Sequence, residues 1–314
     1  MTETAYLEIG SRAVHAWKIK TLSSVQFVHL FVCIEARVEQ TLPEGDVVVG
    51  VTSLDDEIYV LRPKERDQVE VYDAVNYRKV RFITVPNSRV FTDMTSCGHY
   101  RCVYIADHGA ECVHRVPALR SRDAQGSATQ SWPVHDKPTG LSVNAAHNVL
   151  VTCRDVRKIK EFGSRGEAIH QMTLSNEVTN PWHSLQLASG QFVVCHSDLD
   201  KAMHGVSTIS GDGRIIVNSH GGQRGSDSGH YSKPRHLAVD SSGFVYVADF
   251  GNRRVTRLSP ALNYVCQVLT RDKLKGGPDK LCFDVQRSRL HVADNYWNDK
   301  GKRAGRVAVF SIDV

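Results

Sequence analysis

The amino-acid sequence predicts an all-β fold made of six copies of one four-stranded antiparallel unit. One pattern of short apolar runs separated by turns recurs along the chain at intervals of about 40 to 50 residues. The runs have strand length and are rich in Val, Ile, Leu and aromatic residues. The last unit offers only three strands, and a strand-like segment near the start of the chain is left over to complete it. Together these observations indicate a closed ring.

The clearest copy of the unit lies within residues 233–269. A proline opens it, apolar runs follow one another, and Gly, Asp and Asn residues mark the turns between them. The expected strands of this copy cover residues 237–239, 245–248, 255–258 and 264–269.

Five further copies follow the same order of strands and turns. They are expected within residues 47–72, 91–116, 137–162, 181–194 and 278–310. Such units cannot bury both faces alone, but radial stacking gives a continuous core and leaves only short edges exposed. Residues 36–42 are the expected fourth strand of the last unit. The prediction is therefore a six-bladed β-propeller over residues 36–314, preceded by an extension, residues 1–35, which is either a partial helix or a poorly defined segment.

Three consecutive motifs carry a resemblance to a known family. Pro-x-x-Leu-Ala-Val-Asp begins at Pro234, Val-Tyr-Val-Ala-Asp at Val245 and Gly-Asn-Arg-Arg-Val at Gly251. They closely resemble the NHL repeat, whose best-known carriers are tripartite-motif ligases with a C-terminal propeller. The resemblance implies recognition of RNA or of a protein partner, for instance as a substrate-recognition adaptor in ubiquitin-ligase assemblies. RING, B-box and coiled-coil segments are missing from this sequence, so ligase activity is not implied.

Composition and cysteine spacing limit the other classes of function. The 314 residues are 41% hydrophobic and 23% charged, and the net charge of +5 is too small to indicate a nucleic-acid binder by itself. The eight cysteines form no Cys-x-x-Cys pair, which excludes RING-type zinc sites, and we expect buried free thiols with one possible disulfide, Cys97 to Cys102. No targeting signal or membrane-length apolar stretch is found, so we expect a cytoplasmic monomer without membrane contact.

The expected binding surface is one face of the ring. In a propeller whose innermost strand comes first, the segment leading into that strand and the loop between the second and third strands lie on the same face. The fifth unit is the most basic there, and the sixth adds aromatic side chains, a mixture suited to RNA or to a protein partner. The predicted contact residues are Lys233, Arg235, His236, Phe250, Asn252, Arg253, Arg254, Tyr296 and Trp297.

Other chemistry has weaker support in the sequence. Asp107, Asp249 and Asp294 recur at the ends of second strands, which favours a structural role as acceptors of backbone N–H groups over catalysis. The glycine-rich residues 221–225 are expected to be a flexible connection between blades. His183 and His236, with Asp93, could bind a metal ion at the axis, as in metal-dependent lyases and lactonases of six-bladed fold, although Lys280 brings a cation to the same place. We therefore expect a non-catalytic binding platform without a cofactor, and a metal-dependent lyase or lactonase as the alternative.

Overall fold

The computed structural model of this chain is an all-β ring of six four-stranded antiparallel blades, which confirms the predicted fold class. It describes residues 36–63, 68–118, 129–198 and 203–312 in full, together with the backbone of three earlier strands. Those three strands form a separate antiparallel sheet and are β1 (Thr4–Ile9), β2 (Arg12–Trp17) and β3 (Leu30–Val32).

The ring begins with β4 (Ala36–Thr41), which belongs to the last blade. The strands of blade 1 are β5 (Gly50–Leu54), β6 (Glu57–Leu61), β7 (Gln68–Asp73) and β8 (Lys79–Thr84). Those of blade 2 are β9 (Phe91–Cys97), β10 (Cys102–Asp107), β11 (Cys112–Pro117) and β12 (Gln130–Pro133). Those of blade 3 are β13 (Gly140–Val143), β14 (Val149–Cys153), β15 (Lys158–Phe162) and β16 (Ala168–Thr173).

The second half of the ring repeats this order. The strands of blade 4 are β17 (Pro181–Gln186), β18 (Phe192–Asp198), β19 (Met203–Ile209) and β20 (Ile216–Gln223). Those of blade 5 are β21 (Pro234–Val239), β22 (Val245–Asp249), β23 (Arg254–Leu258) and β24 (Tyr264–Leu269), with a 3-10 helix at Phe250–Asn252. Those of blade 6 are β25 (Gly277–Asp284), β26 (Arg289–Trp297), β27 (Arg303–Ile312) and β4.

The first strand of every blade contacts the first strands of both neighbouring blades, so these six strands surround the axis of the ring. Second strands such as β14 and β22 are buried at every position, because both faces of a blade are covered. Outermost strands such as β16 are mostly exposed. Six apolar clusters fill the six interfaces between neighbouring blades; in one of them, Tyr104 and Trp132 of blade 2 pack with Leu141 and Phe162 of blade 3.

The closing strand is confirmed where the sequence places it. β4 pairs antiparallel with β27, from Thr41 opposite Ala308 to Ala36 opposite Ile312. Arg62 strengthens the junction from blade 1: it is buried, pairs with Glu70 at 3.1 Å and donates to the carbonyl oxygens of Gly305 and Pro43. The two ends of the propeller are therefore joined through one sheet.

Two smaller expectations can be compared with the structure. Cys97 and Cys102 face each other across the β9–β10 hairpin as free thiols, so the possible disulfide is not formed. Gly221 and Gly222 lie inside β20, so residues 221–225 are not simply a connection between blades. Gly221 has φ +108, and a Cβ there would stand 2.6 Å from the carbonyl oxygen of His204, which explains the glycine by close approach of two strands. Within the described residues, no helix has the length and apolar character needed to cross a membrane.

Candidate functional site: the ring axis and the upper face

The antiparallel order of the strands places two kinds of segment on one end of the ring, which we call the upper face. These are the residues that lead into each first strand and the loop between each second and third strand. The turns between first and second strands and between third and fourth strands form the lower face. Arg235 and Arg253 therefore share the upper face, as the sequence analysis requires.

Four ionisable side chains meet just inside the upper end of the axis: Asp93 of β9, His183 of β17, His236 of β21 and Lys280 of β25. The Asp93 carboxylate is fully buried and lies 3.0 Å from Lys280 Nζ, 3.4 Å from His236 Nε2 and 3.9 Å from His183 Nε2. Asp93 also accepts the backbone N–H of Leu141 in blade 3 at 2.7 Å. One carboxylate thus contacts groups from four other blades.

Hydrogen bonding defines the tautomers of the two imidazoles. His183 Nε2 lies 2.9 Å from the carbonyl oxygen of Leu141, which can only accept, so this nitrogen carries the proton. His236 Nδ1 accepts the N–H of Leu281 at 3.3 Å, which leaves the proton on Nε2, facing Asp93. The two rings stack with centroids 3.7 Å apart.

Burial keeps both histidines neutral. It lowers the pKa of His183 well below its usual value, helped by the neighbouring His236, and it also lowers the pKa of His236. Burial acts to raise the pKa of Asp93, but Lys280 and the two histidines outweigh it and hold that pKa well below the ordinary range. The cluster is therefore a carboxylate paired with an ammonium and flanked by two neutral imidazole N–H groups.

The cluster does not fit a metal ion in this arrangement. The carboxylate and imidazole atoms of Asp93, His183 and His236 are close enough to share an ion. However, both imidazoles turn an N–H and not a lone pair towards the carboxylate, and the Lys280 ammonium already occupies the place of the cation. At the place where the sequence allows a metal ion between His183 and His236, the Lys280 ammonium therefore neutralises the Asp93 carboxylate instead.

A row of stacked side chains lies beside this cluster on the upper face. The Arg235 guanidinium stands 3.7 Å from the ring centroid of Phe250 and 5.2 Å from that of Trp182, and Arg154 stands 4.6 Å from Trp182 on blade 4. Arg235 also pairs with Asp279 at 2.9 Å. The Phe250 ring is accommodated by Gly277, where a Cβ would come within 2.6 Å of it. We call Arg154, Trp182, Arg235 and Phe250 the stacked row.

The other predicted contact residues of blade 5 differ in exposure to solvent. Arg253 is exposed and Lys233 is partly exposed. Asn252 is half-buried and donates to Asp249 at 2.7 Å. Arg254 is buried, pairs with Asp249 at 2.8 Å and donates to the carbonyl oxygens of residues 226, 227 and 230. Arg254 thus supports the loop that carries Arg253, which precedes β23 at the end of the 3-10 helix with φ 52.

The aromatic pair of blade 6, Tyr296 and Trp297, stands at the upper end of β26, next to blade 5. The Trp297 side chain is 70% exposed, the highest fraction among the large hydrophobic residues described. Tyr296 lines a groove of about 620 Å³ whose other walls are Glu44, Gly45, Asp46, Asn298, Lys302, Arg303 and Ala304. Of the predicted contact residues, Arg235 and Phe250 belong to the stacked row, and Tyr296 and Trp297 belong with Lys300, Lys302 and Arg303 to what we call the blade 6 rim. Lys233 and Arg253 lie on blade 5 between these two regions.

The three recurring aspartates have the predicted structural role. Asp107 accepts the N–H groups of Arg89, Val90 and Ala110, Asp249 accepts that of Ser232, and Asp294 accepts those of Lys275 and Gly276. Sequence reasoning missed Arg154 as a member of the stacked row. It also missed Cys112 and His114, which converge on Asp107; the signal was a Cys-x-His pair placed directly after the loop that follows Asp107.

Comparison with solved structures supports the fold and leaves the family open. The chain is similar to the aldose sugar dehydrogenase of Streptomyces coelicolor in its PQQ-bound form, with TM-score 0.63 and 11% identity over 90% of this chain and 99% of the other. It is similar to virginiamycin B lyase from Staphylococcus aureus, with TM-score 0.56 and 9% identity over 87% and 88% of the two chains. It also resembles a protein of unknown function from Bacteroides thetaiotaomicron, with TM-score 0.62 and 15% identity over 98% and 87%.

No family model matches the sequence, and no curated protein matches it either. The likeness to NHL repeats is therefore carried by the motifs of residues 234–255 and is not confirmed as membership.

The structural neighbours correct one expectation. The sequence pattern predicts a non-catalytic platform, yet a lyase and a dehydrogenase share this fold, so six blades around an axis do not argue against catalysis. At these identities the similarity shows the fold alone and assigns neither activity to this chain.

Proposed function

We propose that the upper face of this propeller binds single-stranded RNA, with the stacked row and the blade 6 rim as its two contact regions. The observation that carries the proposal is a set of upper-face cations beside aromatic rings. In the part of the chain that the structure describes, the upper-face cations without a carboxylate partner include Lys137, Lys233, Arg253, Lys300, Lys302 and Arg303.

The charge pattern favours a polyanion over a protein partner. An exposed cation that already has a carboxylate beside it gains little from a phosphate, whereas an unpaired one can exchange its counterions for the nucleic-acid backbone. Arg303, Lys302 and Lys300 line the blade 6 rim, and Arg253 and Lys233 lie on blade 5. A strand running over blades 5 and 6 would meet all five.

The aromatic side chains supply what bases need. The exposed Trp297 offers a free face, and stacking a base on an aromatic ring is worth about 1–3 kcal/mol. In the stacked row, Arg154 and Arg235 both contact the Trp182 ring and Trp182 Nε1 donates to Ser197 Oγ, so the ring is positioned before any ligand arrives. Such prior ordering lowers the entropy cost of binding.

The test measures binding of a fluorescently labelled random-sequence single-stranded RNA by anisotropy over a series of salt concentrations. Arg253→Glu with Lys302→Glu should weaken binding by roughly tenfold or more and reduce the salt slope by about 1.4, since two phosphate contacts of about 0.7 each are lost. The matched control is Arg165→Glu with Arg214→Glu, two exposed arginines in lower-face turns, which should leave binding within about twofold because they lie at the other end of the ring.

Trp297→Ala provides a second variant that leaves the charge unchanged. It should weaken binding by about 1–3 kcal/mol without changing the salt slope. Equal losses in the upper-face and lower-face charge variants would contradict the proposal, because they would show non-specific attraction. If a protein still binds to the upper face after ribonuclease treatment, the ligand of this face is a protein and not RNA.

Acid–base catalysis at the axis is a second candidate, favoured by one observation. His183 Nδ1 is buried, carries a lone pair and has no hydrogen-bond partner within the described residues. A neutral imidazole beside a carboxylate and an ammonium provides both a base and an acid for proton transfer. Hydrolysis of a panel of lactones, followed by acid release, should be lost in His183→Gln and kept in Trp297→Ala; equal rates in both variants and in the wild type would exclude this role.

A further inference from the structure

We propose that Asp107, Cys112 and His114 form a zinc site on blade 2, separate from the ring axis and from the two contact regions proposed for RNA. Asp107 ends β10 and Cys112 begins β11, directly opposite it in the register of the sheet. His114 follows two residues later, on the same side of β11 as Cys112. Thiolate, imidazole and carboxylate are the ligand types that zinc takes in proteins.

Two of the three distances between the ligand atoms match those of a tetrahedral zinc site. Cys112 Sγ lies 3.5 Å from His114 Nε2, and His114 Nε2 lies 3.3 Å from Asp107 Oδ2. Usual zinc bond lengths give tetrahedral edges of about 3.5 Å between sulfur and nitrogen and about 3.3 Å between nitrogen and oxygen. All three atoms lie within 4.8 Å of one another, so one ion can contact them together.

A hydrogen bond supports the orientation of the imidazole. His114 Nδ1 lies 2.7 Å from Ser131 Oγ on the neighbouring strand, where Ser131 is the cross-strand partner of His114. In the tautomer that metal binding requires, Nδ1–H donates to this hydroxyl and the Nε2 lone pair faces Asp107 and Cys112. Histidine ligands of metal ions commonly donate their other N–H in this way.

Comparison among the blades shows what is missing at Asp107. In blade 5 the residue opposite Asp249 is Arg254, whose Nε lies 2.8 Å from Asp249 Oδ2. In blade 6 the residue opposite Asp294 is Arg306, with the corresponding distance 2.9 Å.

Blade 2 has Cys112 where the other two blades have arginine. Asp107 is fully buried, and no lysine or arginine within the described residues pairs with it. A divalent cation bound at Oδ2 would supply the positive charge that a guanidinium supplies in blades 5 and 6, in addition to the backbone N–H groups that Asp107 already accepts.

Access and protonation are compatible with an ion. Cys112 is partly exposed, so an ion can reach the site and water can complete the fourth position. Burial and the charge of Asp107 raise the pKa of the Cys112 thiol to about 11, so it is protonated at neutral pH without metal. Zinc binding would release this proton.

The test uses the full chain freed of metal by chelator and then titrated with Co²⁺ as a spectroscopic probe. The wild type should develop a thiolate-to-cobalt charge-transfer band and the intense visible bands of tetrahedral Co²⁺ at one equivalent, and Zn²⁺ should remove them. Cys112→Ser should lose the charge-transfer band. Cys282→Ser, a partly exposed cysteine elsewhere in the ring, should keep it.

A second variant protects the test against misfolding. Cys112→Arg restores the residue type found in blades 5 and 6, so it should fold without metal, bind no Co²⁺ and show the same Tm with and without chelator. The wild-type Tm should rise by about 4 °C at zinc concentrations near a hundred times Kd. Octahedral cobalt spectra, or equal spectra in wild type and Cys112→Ser, would overturn the proposal.

Discussion

The Asp93–Lys280 pair at the axis allows a quantitative test of what holds the inner strands together. Both side chains are at least nine-tenths buried, and their charged atoms are 3.0 Å apart. Asp93→Asn keeps an oxygen that can accept the Leu141 N–H but leaves the Lys280 ammonium buried without an anion. Breaking a buried ion pair from one side costs about 3–5 kcal/mol.

The expected shift in Tm follows from chain length. At about 2.1 cal/mol/K per residue, unfolding of the 314-residue chain has an entropy near 0.66 kcal/mol/K, so each kcal/mol lowers Tm by about 1.5 °C. Asp93→Asn and Lys280→Met should each lower Tm by roughly 5–8 °C on this scale.

The double variant separates charge pairing from packing. Asp93→Asn with Lys280→Met removes both charges, so its free energy of unfolding should exceed the value expected from adding the two single losses by about 2 kcal/mol or more. Urea unfolding followed by tryptophan fluorescence and by circular dichroism measures all four proteins. Single losses below about 1 kcal/mol, or strict additivity, would refute the view that the axis depends on this pair.

Two further predictions concern groups away from the axis. Burial lowers the pKa of His196 and of His291 to about 4, so the unfolded chain binds protons that the folded chain does not, and stability should fall by about 2 kcal/mol for each histidine between pH 7.5 and pH 5. Urea midpoints across this range check the slope, and a flat profile, or one that His196→Gln leaves equally steep, would contradict it. Arg254→Ala should cost about 3–5 kcal/mol, because it leaves the buried Asp249 without its cation, while the exposed Arg253→Ala should stay within about 0.5 kcal/mol. Thermal unfolding of the two variants decides this, with equal Tm values counting against a structural Arg254.

The sequence predicts the ring well because each blade repeats the same order of apolar runs and turn residues. The turn residues and apolar runs of residues 233–269 correspond to β21–β24, and the leftover segment at residues 36–42 corresponds to β4. Closure could be inferred because three strands in the last unit leave an unpaired edge, a cost that the chain must remove. The first and fourth blades diverge from the repeat pattern, but packing against their neighbours keeps them four-stranded.

The candidate sites are less predictable because side-chain direction depends on packing. Arg253 and Arg254 are adjacent in sequence, yet Arg253 is exposed, whereas Arg254 donates hydrogen bonds to Asp249 and to three carbonyl oxygens. His183, His236 and Asp93 do meet, as their positions before or within first strands suggest. The tautomers of the two histidines depend on backbone groups of Leu141 and Leu281, which lie in other blades and cannot be predicted from the local sequence.

Pairing of β4 with β27 also has a kinetic consequence. Thr41 and Ala308 are cross-strand partners, so the ring cannot be sealed until β27 has left the ribosome. Closing a loop of this length costs about 5 kcal/mol in chain entropy, paid late in folding. Until then both β4 and the last blade present free edges to other nascent chains. We expect this final seam to set the folding rate, so that a circular permutant opened in an exposed lower-face turn acquires β4 and β27 as chain neighbours and folds faster.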